Sequence, residues 1–421
     1  MLDLKFIREH PDLVKAGINK KNHSCDIDAI LRLDHRRREG IQKTDQLKAE
    51  RNRVSDEIAK KKKAGEPVEA TIAAMRKVGD EIAANDAELR RLEDEMNGLL
   101  IWVPNIPHES VPVGKDESAN VVVKQWGEIP KPGFKVLPHW EIGEKLGIMD
   151  LPRASKISGS GFYVLKGAGA LLERALVNYM LDTHAAAGFV EHKVPYLVTS
   201  DTMFGTGQLP KLAEDMYKTE GDQMWLIPTA EVPVTNLYKQ EILSHEQLPI
   251  YMVAYTPCFR REAGAAGKDT RGMIRVHQFD KVELVKIVRP ENSYGELDSL
   301  LAQAEKIVQG LKLPYRISML ASGDLSFASA KCFDIELWAA GVEKYLEISS
   351  VSNFEDFQAR RMGCKFRDTD KTVKFPHTLN GSGLALARLV PTILENYQNA
   401  DGTVTVPEPL RPYMRGMEKI G

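Results

Sequence analysis

The chain has 421 residues, 43% hydrophobic and 28% charged, with a formal net charge of -2 at pH 7. That length exceeds one ordinary core and predicts two or more domains of soluble, globular composition. The balanced charge excludes a protein that coats nucleic acid along its whole surface, while leaving room for a local basic patch.

The N-terminus, MLDLKFIREHPDLVKAGI, mixes acids with bases and lacks a long apolar core, so it is neither a signal peptide nor a transit peptide. No apolar run approaches the roughly 20 residues of a membrane helix. A cytoplasmic protein with no membrane partner is expected.

From about Asp28 to Leu100 charge is dense and Pro67 is the single proline. In the second half Met75, Ile82, Leu89 and Met96 recur every seven residues, with Val78, Asn85, Leu92 and Leu99 three behind each. These are a and d positions of a coiled coil, and Asn85 is the one polar member that could fix register. The first half is poorer: Leu33, Leu47 and Val54 keep the spacing, but Gly40 interrupts it, and the companion positions include Arg37, Thr44 and Arg51. Between the halves Gly65 and Pro67 can end one helix and start another. The pattern predicts an antiparallel helical hairpin with arms of about 45–50 Å. Arg32, Arg36, Arg37, Arg38, Lys43, Lys48, Arg51 and Arg53 lie on its first helix, and Lys60 to Lys63 at its tip. Acids are interleaved, so charge alone reads as a solvated surface.

After Trp102 prolines punctuate the chain, marking a linker and lead-in segment (about 105–162) between an N-terminal domain (1–104) and a C-terminal one (105–421). From about Tyr163, amphipathic helices mix with alternating strands and glycine turns, an α+β signature. The stretch LLERALVNYMLDTHAAAGF predicts a helix, followed by a short strand ending near Pro195.

Two later strands carry candidate chemistry. In YMVAYTPCFRREAG, period-two alternation puts Arg260 and Glu262 on one face; in MIRVHQFDKVELVKIV it groups Phe279, Lys281 and Glu283, with Val282, Leu284 and Val288 facing a core. Phe279 and Glu283 would then stand roughly 13 Å apart, about the length of an aminoacyl-adenylate. The glycine-rich EAGAAGKDTRG between these strands reads as a hairpin loop carrying Lys268 and Arg271. Near the C-terminus LNGSGLALARLV reads as a glycine turn leading into a helix that holds Arg388, which Pro391 should kink. Cys25, Cys258, Cys332 and Cys364 lie far apart with no CxxC pair, fitting neither a disulfide framework nor a zinc site. His277 shares a strand face with Phe279 and reads as structural.

These segments resemble a known family. FRREAG is similar to motif 2 of the class II aminoacyl-tRNA synthetases, GSGLALAR to motif 3, and the helix and strand ending at Pro195 to motif 1. TGQLPK, IPTAEVP, DTRGMIRVHQFDKVEL, EISSVSNFEDFQARR and TLNGSGLA look like the seryl enzymes, in the family's order. The resemblance implies an antiparallel β-sheet catalytic domain flanked by helices, with the two-helix coiled-coil arm at the N-terminus. It implies a homodimer built on motif 1. The implied activity is that of a serine–tRNA ligase, which forms seryl-adenylate from L-serine and ATP and passes the seryl group to the 3′ end of serine tRNA. The arm would grip that tRNA's long variable arm; charging of selenocysteine tRNA is left open.

The same resemblance implies roles. Thr229, Ala230 and Glu231 would line the serine site, Glu231 facing the amino group; Glu283 and Ser382 would receive the hydroxyl, with Asn380 close by. Arg260 would bind the α-phosphate and Glu262 the adenine amino group, with Arg261 between them in the ATP-contacting run. Phe279 and Arg388 would sandwich the base, Arg388 also reaching the γ-phosphate, and Val276 would lend a backbone contact. Glu347, Ile348, Ser349 and Ser350 would touch ATP, with Glu347 and Ser350 holding Mg2+; no zinc is expected. Glu347 and Ser350 are three apart, which a regular strand would point to opposite faces, so a bulge or strand end is required. Arg261 and Val351 depart from the residues frequent in the family.

A carrier-protein aminoacylating ligase would lack the long arm, and a non-catalytic paralogue would be expected to have lost Arg260, Glu262, Glu347 or Arg388. A coiled-coil scaffold explains the first hundred residues alone.

Overall fold

The computed structural model describes residues 1–263 and 271–421, and two compact units emerge. One comprises Leu2–Asn19 and His23–Val103; the other comprises Met1, Lys20–Asn22 and Pro104–Gly421. Among the described residues no helix is long and apolar enough to cross a membrane.

The smaller unit is dominated by helices α1 (Ile27–Lys63) and α2 (Glu69–Leu100). The Asp26 side chain caps α1 by accepting from the Ala29 N–H at 2.8 Å. Lys60 to Lys63 occupy its last turn, where cations suit the helix dipole. Gly65, with φ of +73°, makes the turn between the helices. Pairing is antiparallel: Arg37 meets Glu93 at 2.8 Å, Arg36 meets Glu88 at 2.9 Å, and Lys48 meets Asp86 at 3.8 Å.

Gly40 does not interrupt the hairpin. α1 runs through it, and a Cβ at this position would lie 2.8 Å from Leu89 Cδ2. The missing side chain makes room for the a/d residues of α2, a role that a seven-residue count on one helix cannot reveal. The Gly40 carbonyl accepts from Asn85 Nδ2 at 2.8 Å, and buried Thr44 Oγ1 accepts from the same nitrogen at 2.5 Å. Asn85 therefore fixes register through side-chain bonds across the seam. Replacing it with alanine should lower the opening free energy of the hairpin by about 1–2 kcal/mol. Hydrogen exchange of amides around Thr44 and Asn85 reads this directly; unaltered rates would show that the bonds contribute nothing.

The larger unit is built on an eight-stranded sheet: β1 (Val121–Trp126), β2 (Val190–Glu191), β3 (Ile250–Phe259), β4 (Gln278–Val288), β5 (Tyr315–Met319), β6 (Lys331–Ala339), β7 (Lys344–Asn353) and β8 (His377–Ala385). The spatial order is β1-β5-β6-β7-β8-β4-β3-β2, antiparallel except for the β2–β3 pair. Edge strand β1 comes from the segment that reads as a linker. Helices α3 (Ala168–Ala185), α4 (Ser293–Gly310) and α5 (Leu386–Asn396) accompany the sheet. α5 continues through Pro391. Leu172, Leu176, Met180, Leu300, Leu389 and Ile393 are fully buried in the main core with Val282 and Leu284 of β4. Each such side chain contributes on the order of 1.5–3 kcal/mol by leaving water.

Along β4, Val282, Leu284 and Val288 enter the main core as the sequence predicts, and Lys281 and Glu283 take the alternate positions; Phe279, at the start of the strand, is itself buried and also belongs to that main core. Val285 and Ile287, in line with Glu283, join a second core with Met252, Ala254 and Phe366. That apolar floor explains why Glu283 is fully buried.

Candidate active site

The Glu283 carboxylate has three protein partners. Lys281 Nζ lies 2.5 Å from Oε2, Asn380 Nδ2 donates to Oε1 at 3.0 Å, and Ser382 Oγ donates to Oε2 at 3.3 Å. Register explains the grouping, because Ser382 on β8 faces Glu283 on β4. A buried anion is tolerable only with such partners. Lys281 also donates to Thr229 Oγ1 at 3.0 Å, and that hydroxyl accepts from the Glu231 N–H at 3.1 Å. Thr229, Ala230, Glu231, Glu283, Asn380 and Ser382 thus share one neighbourhood. Glu231 is also buried, and Gln358 Nε2 donates to its Oε1 at 2.7 Å. Burial and the nearby Glu283 push the Glu231 carboxyl up to about 7, against the opposing pull of Gln358, Lys281 and Arg260.

A second group adjoins the first. β3 ends at Phe259, so Arg260 and Glu262 lie beyond the strand and strand alternation does not govern them. The backbone turns there: Glu262 adopts φ of +50°, and the Arg261 N–H donates to the Asp215 carbonyl. Arg275 Nη1 fixes the Glu262 carboxylate at 2.6 Å. The Arg260 guanidinium lies 5.2 Å from the centroid of the Phe279 ring. Arg388 donates to the Glu347 carbonyl at 2.5 Å and to the Ile274 carbonyl at 3.4 Å, with its Nη1 also 3.5 Å from Glu347 Oε2.

The requirement for a bulge between Glu347 and Ser350 is met. The β7–β6 register shifts between Glu347 and Ser349, leaving Ile348 as the extra residue. Ser350 Oγ consequently donates to Glu347 Oε1 at 3.2 Å. Glu347 has about half of its side chain open to solvent (47%), yet enough protein surrounds it that desolvation alone would raise its pKa. The guanidinium groups of Arg388 and Arg260 outweigh that effect and hold it below the ordinary carboxylate range. The Arg260 guanidinium thus favours the charged form of both Glu231 and Glu347. Ser349 Oγ donates to the Ser382 carbonyl at 2.7 Å, tying the bulge to the Glu283 neighbourhood.

The glycines of LNGSGLA lie within β8, not in a turn. A Cβ at Gly381 would stand 3.3 Å from Leu300 Cγ and Val351 Cγ2, and one at Gly383 would stand 2.7 Å from His184 Nε2. They are spaces for close packing. Lys268 lies outside the described residues, whereas Arg271 sits with its guanidinium 5.3 Å from the Trp140 ring. His277 is structural in its contacts, its Nδ1 3.1 Å from the Arg260 carbonyl. Val276 is buried next to Arg275.

Three residues without a role in the sequence reading belong to this constellation: Lys281, Arg275 and Gln358. Lys281 had a local signal, a cation two positions from an acid on one strand face. Arg275 and Gln358 meet Glu262 and Glu231 across 13 and 127 positions, separations with no local signature.

Among the described residues no group of three His, Cys, Asp or Glu side chains is arranged around a metal. Glu347 and Ser350 offer paired hard oxygen donors, which suits Mg2+, an ion that keeps waters and commonly binds through one or two protein groups plus phosphate.

Residues 1–107 match the seryl-tRNA synthetase N-terminal domain, and residues 214–397 match the class II tRNA synthetase core domain for glycine, histidine, proline, serine and threonine. The chain is 57% identical to the serine–tRNA ligase of Desulforamulus reducens over 422 aligned positions, 100% of both chains. It superposes on the seryl-tRNA synthetase of Pyrococcus horikoshii complexed with ATP with a TM-score of 0.94 and 39% identity, covering 100% of this chain and 99% of that one. For the cytoplasmic serine–tRNA ligase of Naegleria fowleri in complex with AMP, the TM-score is 0.90 and the identity 32%, over 100% and 98% of the chains.

Proposed function

The chain belongs to the seryl-tRNA synthetase family, and from that premise we propose how its cleft divides the work. Its activity is that of a serine–tRNA ligase, using ATP to join serine to tRNA. The observation that carries the site assignment is the buried Glu283 carboxylate, held among Lys281, Asn380 and Ser382. A side chain so placed suits a substrate hydroxyl that can donate to it.

Thr229, Ala230 and Glu231 line the serine end, and Glu231 meets the α-ammonium. Glu283 accepts from the serine hydroxyl, with Ser382 and Asn380 setting its orientation. Phe279 supplies a face for adenine, Glu262 accepts from the adenine amino group, and Val276 offers backbone. Arg260 lies at the α-phosphate, and Arg388 covers the other face of adenine and reaches the γ-phosphate. The run Glu347–Ser350 borders ATP, and Glu347 with Ser350 would hold Mg2+, which supplies charge neutralisation on the phosphates. No side chain is needed as a covalent nucleophile: the serine carboxylate attacks the α-phosphorus and pyrophosphate leaves. The chain contributes alignment and fixed positive charge. Arginine suits this because its fork binds two oxygens and its plane stacks on rings. The 3′-terminal ribose of tRNA then attacks the activated carbonyl. We assign the arm α1–α2 to the variable arm of serine tRNA, the face around α3 and β2 to a homodimer contact, and the chain to the cytoplasm. Val190 of β2, 61% exposed, supports the dimer assignment.

The Glu231 assignment predicts a pH dependence. Below about 7 the free carboxyl is mostly protonated and cannot pair with an ammonium, whereas above it the anion is ready. The apparent KM for serine in pyrophosphate exchange should therefore fall about tenfold per unit as pH rises towards 7, then level off. A serine KM that stays flat across this range while the ATP KM also holds steady would refute the role.

A further inference from the structure

His139 and Glu395 are both buried, and the mechanism leaves them without a role. His139 Nδ1 lies 2.8 Å from Glu395 Oε1, and the His139 N–H donates to the same oxygen at 2.9 Å. The Gly341 N–H donates to Glu395 Oε2 at 2.9 Å, so the carboxylate is well served. On the far side of the ring the Met273 N–H donates to His139 Nε2 at 3.1 Å. This pattern fixes the tautomer: Nδ1 carries the proton towards Glu395, and Nε2 keeps a lone pair for the backbone.

The segment so held, residues 271–277, leads into β4. Arg271 lies over Trp140, the neighbour of His139, and Met273 is bound by His139 itself. The next carbonyl, that of Ile274, accepts from Arg388, and Arg275 fixes Glu262. Arg388 and Glu395 are seven residues apart on α5, about two turns, and so share a face. One helix therefore grips the segment twice, through Arg388 on the Ile274 carbonyl and through Glu395 and His139 on the Met273 N–H. Gly272 completes the fit, since its φ is +74° and a Cβ there would overlap the His139 ring.

We propose that His139 is a positioning residue, locking residues 271–277, which lead into β4, onto the helix that carries Arg388. It touches no substrate; it sets where Glu262, Val276 and Arg388 meet ATP. The inference rests on the assignment of those residues to ATP, and its effect should fall on ATP and spare serine.

The test is serine-dependent pyrophosphate exchange by the full chain, with KM measured separately for ATP and for serine. Asparagine at this position keeps a donor towards Glu395 and loses the acceptor for Met273. His139→Asn should raise the ATP KM about tenfold and leave the serine KM within about twofold. His139→Gln places an oxygen near the ε position and should bring the ATP KM back to within about threefold of the parent. Gly272→Ala pushes on the ring from the segment it holds, without emptying the core, and should reproduce the rise in ATP KM; it decides alone if His139→Asn fails to fold. Parallel rises in both KM values, no rise in either variant, or glutamine no better than asparagine would each overturn the proposal. Arg388→Ala serves as the reference: an unchanged ATP KM there would sink the ATP assignment itself, whereas a rise there without one in the His139 and Gly272 variants would sink only the coupling.

Discussion

Serine-dependent pyrophosphate exchange should fall by about 10⁴-fold or more in kcat/KM when Glu283 is replaced by alanine. Two losses combine. The substrate hydroxyl loses its acceptor, and the buried Lys281 ammonium, 2.5 Å from that carboxylate, loses its counter-charge. Discrimination should collapse alongside rate. In the parent, alanine would leave Glu283 with an unanswered acceptor site, and a missing hydrogen bond of this kind gives far stronger rejection than a missing methyl. In the variant, serine and alanine should become nearly equivalent.

The control that separates chemistry from folding is Glu283→Gln, which keeps shape and an acceptor oxygen but removes the charge facing Lys281. It should stay folded and lose less activity than the alanine variant. Exchange with serine within tenfold of the parent in Glu283→Ala, confirmed on folded protein by its thermal transition, would remove Glu283 from the serine site.

What the sequence made legible was local or periodic. The a/d spacing of α2 needs only one helix to be seen, and the grouping of Phe279, Lys281 and Glu283 needs only one strand. The conflict between Glu347 and Ser350 was legible for the same reason: period two forbids what their roles demand, so a bulge follows, and the register shift supplies it. Illegible features depend on the partner across the gap. Gly40 reads as a flaw until Leu89 stands opposite it, and Gly381 and Gly383 read as a turn until Leu300 and His184 crowd them. The end of β3 at Phe259 is equally hidden, because Arg260 to Glu262 follow the contacts of Asp215 and Arg275 instead of the strand's alternation. His139 lies in a proline-punctuated stretch whose text resembles a linker, and only its bond to Met273 gives it significance.

Removing most of the helical hairpin should abolish tRNA charging by at least about 10³-fold while leaving serine-dependent pyrophosphate exchange within about threefold of the parent. The geometry permits a clean excision: Arg37 and Glu93 face each other at 2.8 Å, so a short turn can replace residues 38–92 without stretching the chain. Every residue assigned to serine or ATP lies in the other unit. The basic residues of α1 divide into two sets. Arg32, Arg36, Arg37, Arg38, Lys48 and Arg53 are engaged with acids of the same unit. Among the described residues Lys43, Arg51 and Lys60 to Lys63 are exposed and form no ion pair, so they have charge to spare for phosphates. Duplex RNA is read chiefly by shape and backbone, and contacts of that type release counterions. A milder variant therefore gives a graded version of the same result. Replacing Lys43 and Arg51 with glutamine should weaken tRNA binding and lower the salt dependence of its Kd by about one to two in log–log slope, with no change in exchange. Charging that survives the excision, or a salt slope unmoved by the double substitution, would take the arm out of tRNA recognition and leave the other unit to account for it.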